Sequence, residues 1–155
     1  MSVRLGRADP TNELLTVLNV LDHCYVRESQ HVLHYRQHVE RIHHPKVREE
    51  LSRIAAQEQK HVEALGAAIT RLGAKVPDVV PVHTAKEQNC WLYLRTDLEE
   101  EERCGGELRD DLLVMADKFP EVACLLHKID EDCKRHYAQL RAMLADSDPL
   151  SPGPP

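Results

Sequence analysis

The sequence predicts an all-α domain: an antiparallel four-helix bundle with one long crossover between its second and third helices. Apolar residues make up 42% of the chain but aromatics only 4%, and Leu, Ala, Val, Glu, Arg and His dominate, a mixture that favours helices over sheets. Pro and Gly divide the chain into four long uninterrupted segments. Within each segment apolar residues return at alternating steps of three and four, the seam spacing of packed helices. At 155 residues the chain has the size of one ordinary domain with one continuous core.

The punctuation places each element. Residues 1–10 form an N-terminal segment in which Asp9-Pro10 offers an N-cap followed by Pro at the first helical position. Helix 1 is expected over about 11–43. His44-Pro45 restarts the chain in the same way, and helix 2 runs from Pro45 to about Leu72, where Gly73 supplies a stop. Pro77 and Pro81 keep the next stretch from being helical, and Thr84 is the expected N-cap of helix 3, which continues to about Lys118. Phe119-Pro120 opens helix 4, ending near Ala145. The bundle thus occupies 11–145, and DSDPLSPGPP (146–155) reads as a disordered Pro-rich tail.

Link lengths select the topology. The breaks at His44 and Phe119 are too short for anything but antiparallel neighbours, so helices 1 and 2 form one hairpin and helices 3 and 4 another. The roughly ten residues of the middle link reach about 33–36 Å when extended, close to the length of a helix of some 25 residues, so it can cross the whole bundle. The two hairpins also repeat one another. Pro45, Val47, Leu51, Ile54, His61 and Leu65 coincide with Pro120, Val122, Leu126, Ile129, His136 and Leu140, while Glu28 of helix 1 falls on Glu101 of helix 3. Such a repeat arranges inward residues about a pseudo-two-fold axis.

The formal charge of −6 argues against nucleic acid, which needs a surplus of Lys and Arg on one face. No apolar run approaches the roughly 20 residues of a membrane span, and MSVRLGRADP has no signal-peptide apolar stretch, so no membrane association and a cytoplasmic location are expected. Cys24, Cys90, Cys104, Cys124 and Cys133 are odd in number with no short paired spacing. They read as reduced thiols rather than as a disulfide framework or a zinc knuckle.

Each apolar stripe is interrupted near its middle. Helix 1 carries Leu14, Leu18, Leu21, Tyr25, Glu28, Val32, Tyr35, Val39 and Ile42; helix 2 carries Glu58 and His61 between Ile54 and Leu65. Helix 3 carries Glu101 between Leu98 and Leu108, and helix 4 carries Cys133 and His136 between Ile129 and Leu140. Three carboxylates in an apolar core lose several kcal/mol of hydration each and repel one another. A pair of divalent cations compensates, the arrangement of bundles that carry Glu-x-x-His on facing helices. The candidate ligands are therefore Glu28, Glu58, His61, Glu101, Cys133 and His136. Of the tyrosines near the core, Tyr35 is the one whose hydroxyl is expected at the site, and with Cys133 it is the candidate for taking part in chemistry there.

Glu28-x6-Tyr35 followed by Glu58-Gln-Lys-His61 resembles the first half of the rubrerythrin and bacterioferritin groups of ferritin-like proteins, and Asp97-Leu98-x-x-Glu101 is similar to the start of their third helix. The resemblance covers about residues 12–145. It implies a di-iron oxidoreductase reacting with oxygen or peroxide, of ferroxidase or peroxide-reducing type, with zinc or manganese as alternative metals and a homo-oligomer as the assembly. Glu28 and His61 would hold one ion, Glu58 would bridge, and Glu101 with His136 would hold the other. That family has a second Glu-x-x-His in helix 4, so Cys133 stands where a bridging glutamate is normal. A thiolate keeps the charge count but has a shorter arm and is oxidisable. The alternative is accordingly a ferritin-like binding or storage module with a mononuclear or absent metal site. Haem-binding bacterioferritins place Met directly after the helix 2 Glu; Gln59 stands here, so haem is not expected. Rubrerythrins also carry two Cys-x-x-Cys pairs that this sequence lacks, so an electron donor would be a separate protein.

Two further groups read as ordinary surface. Glu99 to Glu102 point in four directions, and of these only Glu101 meets the stripe. His31, His34 and His38, with His43 and His44 at the helix end, form a string that could hold a further metal, but they read first as exposed histidines on a long helix.

Overall fold

A computed structural model describes residues 9–115 and 118–152. Four helices follow in order: α1 (Pro10–Arg41), α2 (Pro45–Arg71), α3 (Cys90–Met115) and α4 (Pro120–Ala145). Three of them start as the punctuation requires. The Asp9 side chain accepts from the Thr11 amide at 3.0 Å ahead of Pro10. His44 and Phe119 occupy the N-cap positions before Pro45 and Pro120. Gly73 closes α2 at φ 82, where L side chains are strained, and Ala74 N donates back to Ile69 O at 3.2 Å, the reverse bond of a glycine-ended helix.

The start of α3 differs from expectation. Thr84 is not a cap, because Gln37 of α1 accepts from both its amide (2.9 Å) and its hydroxyl (3.0 Å), and Arg41 donates to its carbonyl at 2.9 Å. Those bonds hold the crossover extended along α1. Asn89 performs the capping instead, accepting from Leu92 N at 3.0 Å. Its side-chain amide also donates to the carbonyls of Pro149 (3.1 Å) and Ser151 (3.2 Å), which ties the segment after α4 to the start of α3. The remaining tail residues, 153–155, lie outside the described residues, as do 1–8 of the N-terminal segment.

The crossover leaves α2 beside Tyr25, near the first half of α1, and reaches α3 where Tyr93 packs on His38, near the end of α1. It therefore runs the length of the bundle and makes α2 and α3 parallel, the predicted topology. The packed pairs are α1 with α2 and α3 with α4, closed by α1 against α3 and α2 against α4.

The apolar core is in two parts. One gathers Val17, Leu21, Leu65, Ile69, Leu108, Leu112, Leu126 and Ile129; the other gathers Tyr35, Ile42, Leu51, Ile54, Tyr93, Leu94 and Leu140. Each fully buried Leu or Ile contributes on the order of 1.5–3 kcal/mol. Between the two parts lies a layer of buried Glu, His and Asp. At the outer end of α1 the stripe shifts by one column: Leu14 is exposed, and Val17 is buried in its place.

Candidate metal centre

The layer is built by four helices at one level. Glu28 comes from α1, Glu58 and His61 from α2, Glu101 from α3, Cys133 and His136 from α4, and all six are buried. The structure places all six in one buried layer, with Glu28, Glu58, His61, Glu101 and His136 in mutual contact and Cys133 beside them.

Glu58 stands at the centre with no exposed surface. Its Oε2 lies 3.3 Å from His61 Nδ1, and its Oε1 lies 2.8 Å from His136 Nδ1. Glu28 Oε2 approaches His61 Nδ1 to 3.1 Å, and Glu101 Oε1 approaches His136 Nδ1 to 3.5 Å. One carboxylate therefore faces two half-sites, Glu28 with His61 and Glu101 with His136. Tyr35 donates to Glu101 Oε1 at 2.7 Å, which orients that carboxylate.

Residues outside the predicted set complete the layer. His61 Nε2 lies 2.8 Å from Asp132 Oδ2, which also accepts from Gln57 at 2.9 Å, while Asp132 Oδ1 pairs with Arg135. A carboxylate can only accept, so the Nε2 proton belongs to that bond, and Nδ1 is the nitrogen left to face Glu28 and Glu58. His31, read from sequence as exposed, is buried and brings a ring nitrogen within 4.8 Å of ligand oxygens from Glu58 and Glu101. Its Nε2 also lies 3.0 Å from Cys104 Sγ. The signal was present: His31 is three residues after Glu28 and four before Tyr35, so it shares their face as fully as Val32 does. Arg27, also buried, lies 3.9 Å from Glu28 and 3.2 Å from Glu107, a cation at the rim of the acidic layer.

The electrostatics follow from burial. Burial and the charge of Glu58 push the Glu28 carboxyl up to about 7, whereas contacts with Glu28 and both histidines outweigh burial and hold Glu58 low. Burial would lower His61 and His136, but the facing carboxylates win and raise both to about 9. Protons on the imidazoles therefore offset the carboxylates in the bare protein. A divalent ion can replace them, since it needs the nitrogens unprotonated.

Cys133 behaves differently. Burial and the charges of Glu28, Glu101 and Glu58 drive its thiol far up, so the sulfur stays protonated. Among the described residues, four sets of three donor atoms converge within 4.8 Å, and neither Cys133 nor His136 is in any of them, although His136 keeps its 2.8 Å approach to Glu58. Cys133 instead lines a cavity of about 320 Å³ with Glu101, Gly105, Arg109, Lys134 and Tyr137, which leads from the surface to the layer.

The residues fit a metal centre on one observation in particular. Glu58 Oε1, Glu101 Oε2, His136 Nδ1 and His31 Nδ1 are buried without a hydrogen-bond partner. His136 Nδ1 and Glu58 Oε1 are close yet misaligned for a hydrogen bond, as when two groups aim at a common point rather than at each other. Orphaned buried polar atoms cost on the order of 1–3 kcal/mol each, and a cation between them removes that cost.

Solved structures agree with this architecture. The chain superposes on the di-iron bacterioferritin of Desulfovibrio desulfuricans with a TM-score of 0.81 at 17% identity, covering 90% of this chain and 84% of that one. The fold is ferritin-like. A ferritin-like diiron-carboxylate protein from Bacillus anthracis matches with a TM-score of 0.76 at 15% identity over 85% of this chain and 97% of its own. A dodecameric thioferritin from Bacteroides fragilis, related to bacterioferritin, matches with 0.77 at 15% identity over 86% of each chain. No protein-family model and no curated protein matches the sequence, so the ferritin-like likeness is one of structure. No helix among the described residues is long and apolar enough to cross a membrane.

Proposed function

We propose that this ferritin-like chain binds two iron ions between its helices and oxidises ferrous iron with oxygen or peroxide, as a ferroxidase-type protein acting in the cytoplasm as a homo-oligomer. The observation that carries the reading is Glu58, whose two oxygens face different histidines at 3.3 and 2.8 Å, the disposition of a bridging carboxylate. Glu28 and His61 complete one half-site. Glu101 and His136 form the other, where His31 supplies the donor that Cys133 withholds. Iron, when bound, supplies the one-electron chemistry: two ferrous ions give two electrons to a peroxide, which takes up two protons and leaves as two waters.

The chain's own residues do the rest. Glu28, Glu58 and Glu101 supply the negative charge that favours the oxidised ions, Asp132 orients His61, and Tyr35 orients Glu101. The cavity beside Cys133 and Tyr137 gives a small oxidant its approach. The assembly is supported by analogy with the thioferritin, which is dodecameric.

A mononuclear centre is the second reading, favoured by the absence of Cys133 from the converging donor sets. Anaerobic titration with ferrous iron, followed by elemental analysis, separates the two. Two ions per chain that are lost in Glu58→Ala, with rapid oxidation on adding peroxide, support the first; one such ion per chain, or oxidation no faster than that of free iron, overturns it.

A further inference from the structure

A second group of donors lies toward the outer end of α3, independent of the central layer. His34 and His38 are four residues apart on α1 and so share one face. Asp97 of α3 faces them across the helix pair. His34 Nε2 is 3.0 Å and His38 Nδ1 is 2.7 Å from the same oxygen, Asp97 Oδ1, and the three donor atoms lie within 4.8 Å of one another. None is shared with Glu28, Glu58, Glu101 or the histidines of the central layer. Asp97 and Glu101 are four residues apart on α3, about 6 Å along the axis at 1.5 Å per residue, and Tyr35 stands between, its ring 6.1 Å from that of His34.

Distance alone would suit two histidines paired to a carboxylate. The orientations do not. Neither His34 Nε2 nor His38 Nδ1 makes a hydrogen bond, and both oxygens of Asp97 are buried without one. Asp97 is 0% exposed and His38 1%. A carboxylate so placed loses its hydration without any hydrogen bond to replace it, a cost of several kcal/mol. Donor lone pairs that approach closely yet miss one another share a common target.

We propose that His34, His38 and Asp97 form a separate mononuclear site for a divalent transition metal. Two imidazoles and one carboxylate select zinc or ferrous iron over calcium and magnesium, which take oxygen ligands, and the lack of a thiolate disfavours cuprous copper. Three protein ligands leave a coordination position open. It lies on the side of His34, the least covered member, whose side chain is 13% exposed. The Tyr93 ring closes the opposite side, packed edge-on against His38 at 4.7 Å.

Zinc is the probe that tests this. Crystals of the full chain grown with saturating zinc, measured above and below the zinc absorption edge, should show an anomalous peak bonded to His34, His38 and Asp97 at about 2.0–2.2 Å. In solution, Asp97→Asn should lower zinc content at saturation by one ion per chain, whereas Glu58→Ala should leave that ion bound. An empty position in the anomalous map overturns the proposal, as does an unchanged zinc content in Asp97→Asn protein shown by circular dichroism to be folded. Should that variant fail to fold, the map of the unmodified chain decides alone.

Discussion

His61 Nε2 sits 2.8 Å from Asp132 Oδ2, so an aspartate on α4 decides which nitrogen of an α2 histidine faces the centre of the bundle. Asp132→Ala should therefore weaken iron binding by about 10–100-fold, the usual effect of removing the partner that orients a metal-ligating His. Isothermal titration with ferrous iron under argon checks this. Retained affinity would mean that His61 is held by packing alone.

Glu58→Ala removes the carboxylate that faces both half-sites and should abolish nearly all iron binding in the central layer, as measured by elemental analysis. Full iron occupancy there would place the centre elsewhere.

Chelation couples the metal centre to stability. A ligand bound only by the folded state stabilises it by mass action, by about 2.7 kcal/mol at a hundred-fold excess over Kd. Removing metal should lower the melting temperature of the wild type and leave a folded Glu58→Ala, Asp97→Asn double variant almost unchanged. Equal melting curves for wild type with and without verified metal would show that protons balance the buried carboxylates unaided.

Cys133→Glu places a longer, bidentate arm where the thiol now stands beside a cavity of about 320 Å³. The second central iron should bind more tightly, and oxidation by peroxide should quicken. If the wild type already holds two ions of equal affinity and the substitution weakens them, Cys133 is itself a ligand and deprotonates on binding.

Thiol reactivity offers a check that needs no metal. Cys124 is exposed, while Cys24, Cys104 and Cys133 are buried; burial pushes Cys24 and Cys104 up to about 12 and Cys133 still higher. Because the thiolate is the reacting form, a disulfide reagent at neutral pH should label Cys124 quickly, half-buried Cys90 more slowly, and the other three after denaturation. Fast labelling of three or more thiols in the native chain would contradict this packing.

Sequence reading succeeded where one residue carries its own geometry and failed where partners compete. Pro10, Pro45, Pro120 and Gly73 act through their own backbones, so four helices and their order were legible. Thr84 is an apt cap in isolation, but Gln37, 47 positions away, takes its donors, and no local rule contains that. The burial of Glu28, Glu58, His61, Glu101, Cys133 and His136 was legible because each interrupts an apolar stripe. His34, His38 and Asp97 were not, because a helix that is enclosed on two sides buries two adjacent columns, and the stripe names only one; His31 was legible from its spacing to Glu28 and Tyr35 but was read as surface. Asp132 was hidden beside Cys133 for the same reason: it faces α2 across the α4 interface rather than the bundle axis.

The two separate parts of the apolar core hold the bundle from its ends rather than from its middle. Leu21, Ile69 and Leu126 close one end, and Leu51, Leu94 and Leu140 close the other, so helix docking is secured on both sides of the ligand layer. A substitution within that layer, such as Cys133→Glu, then alters which ions are held while the two apolar ends keep the helices docked.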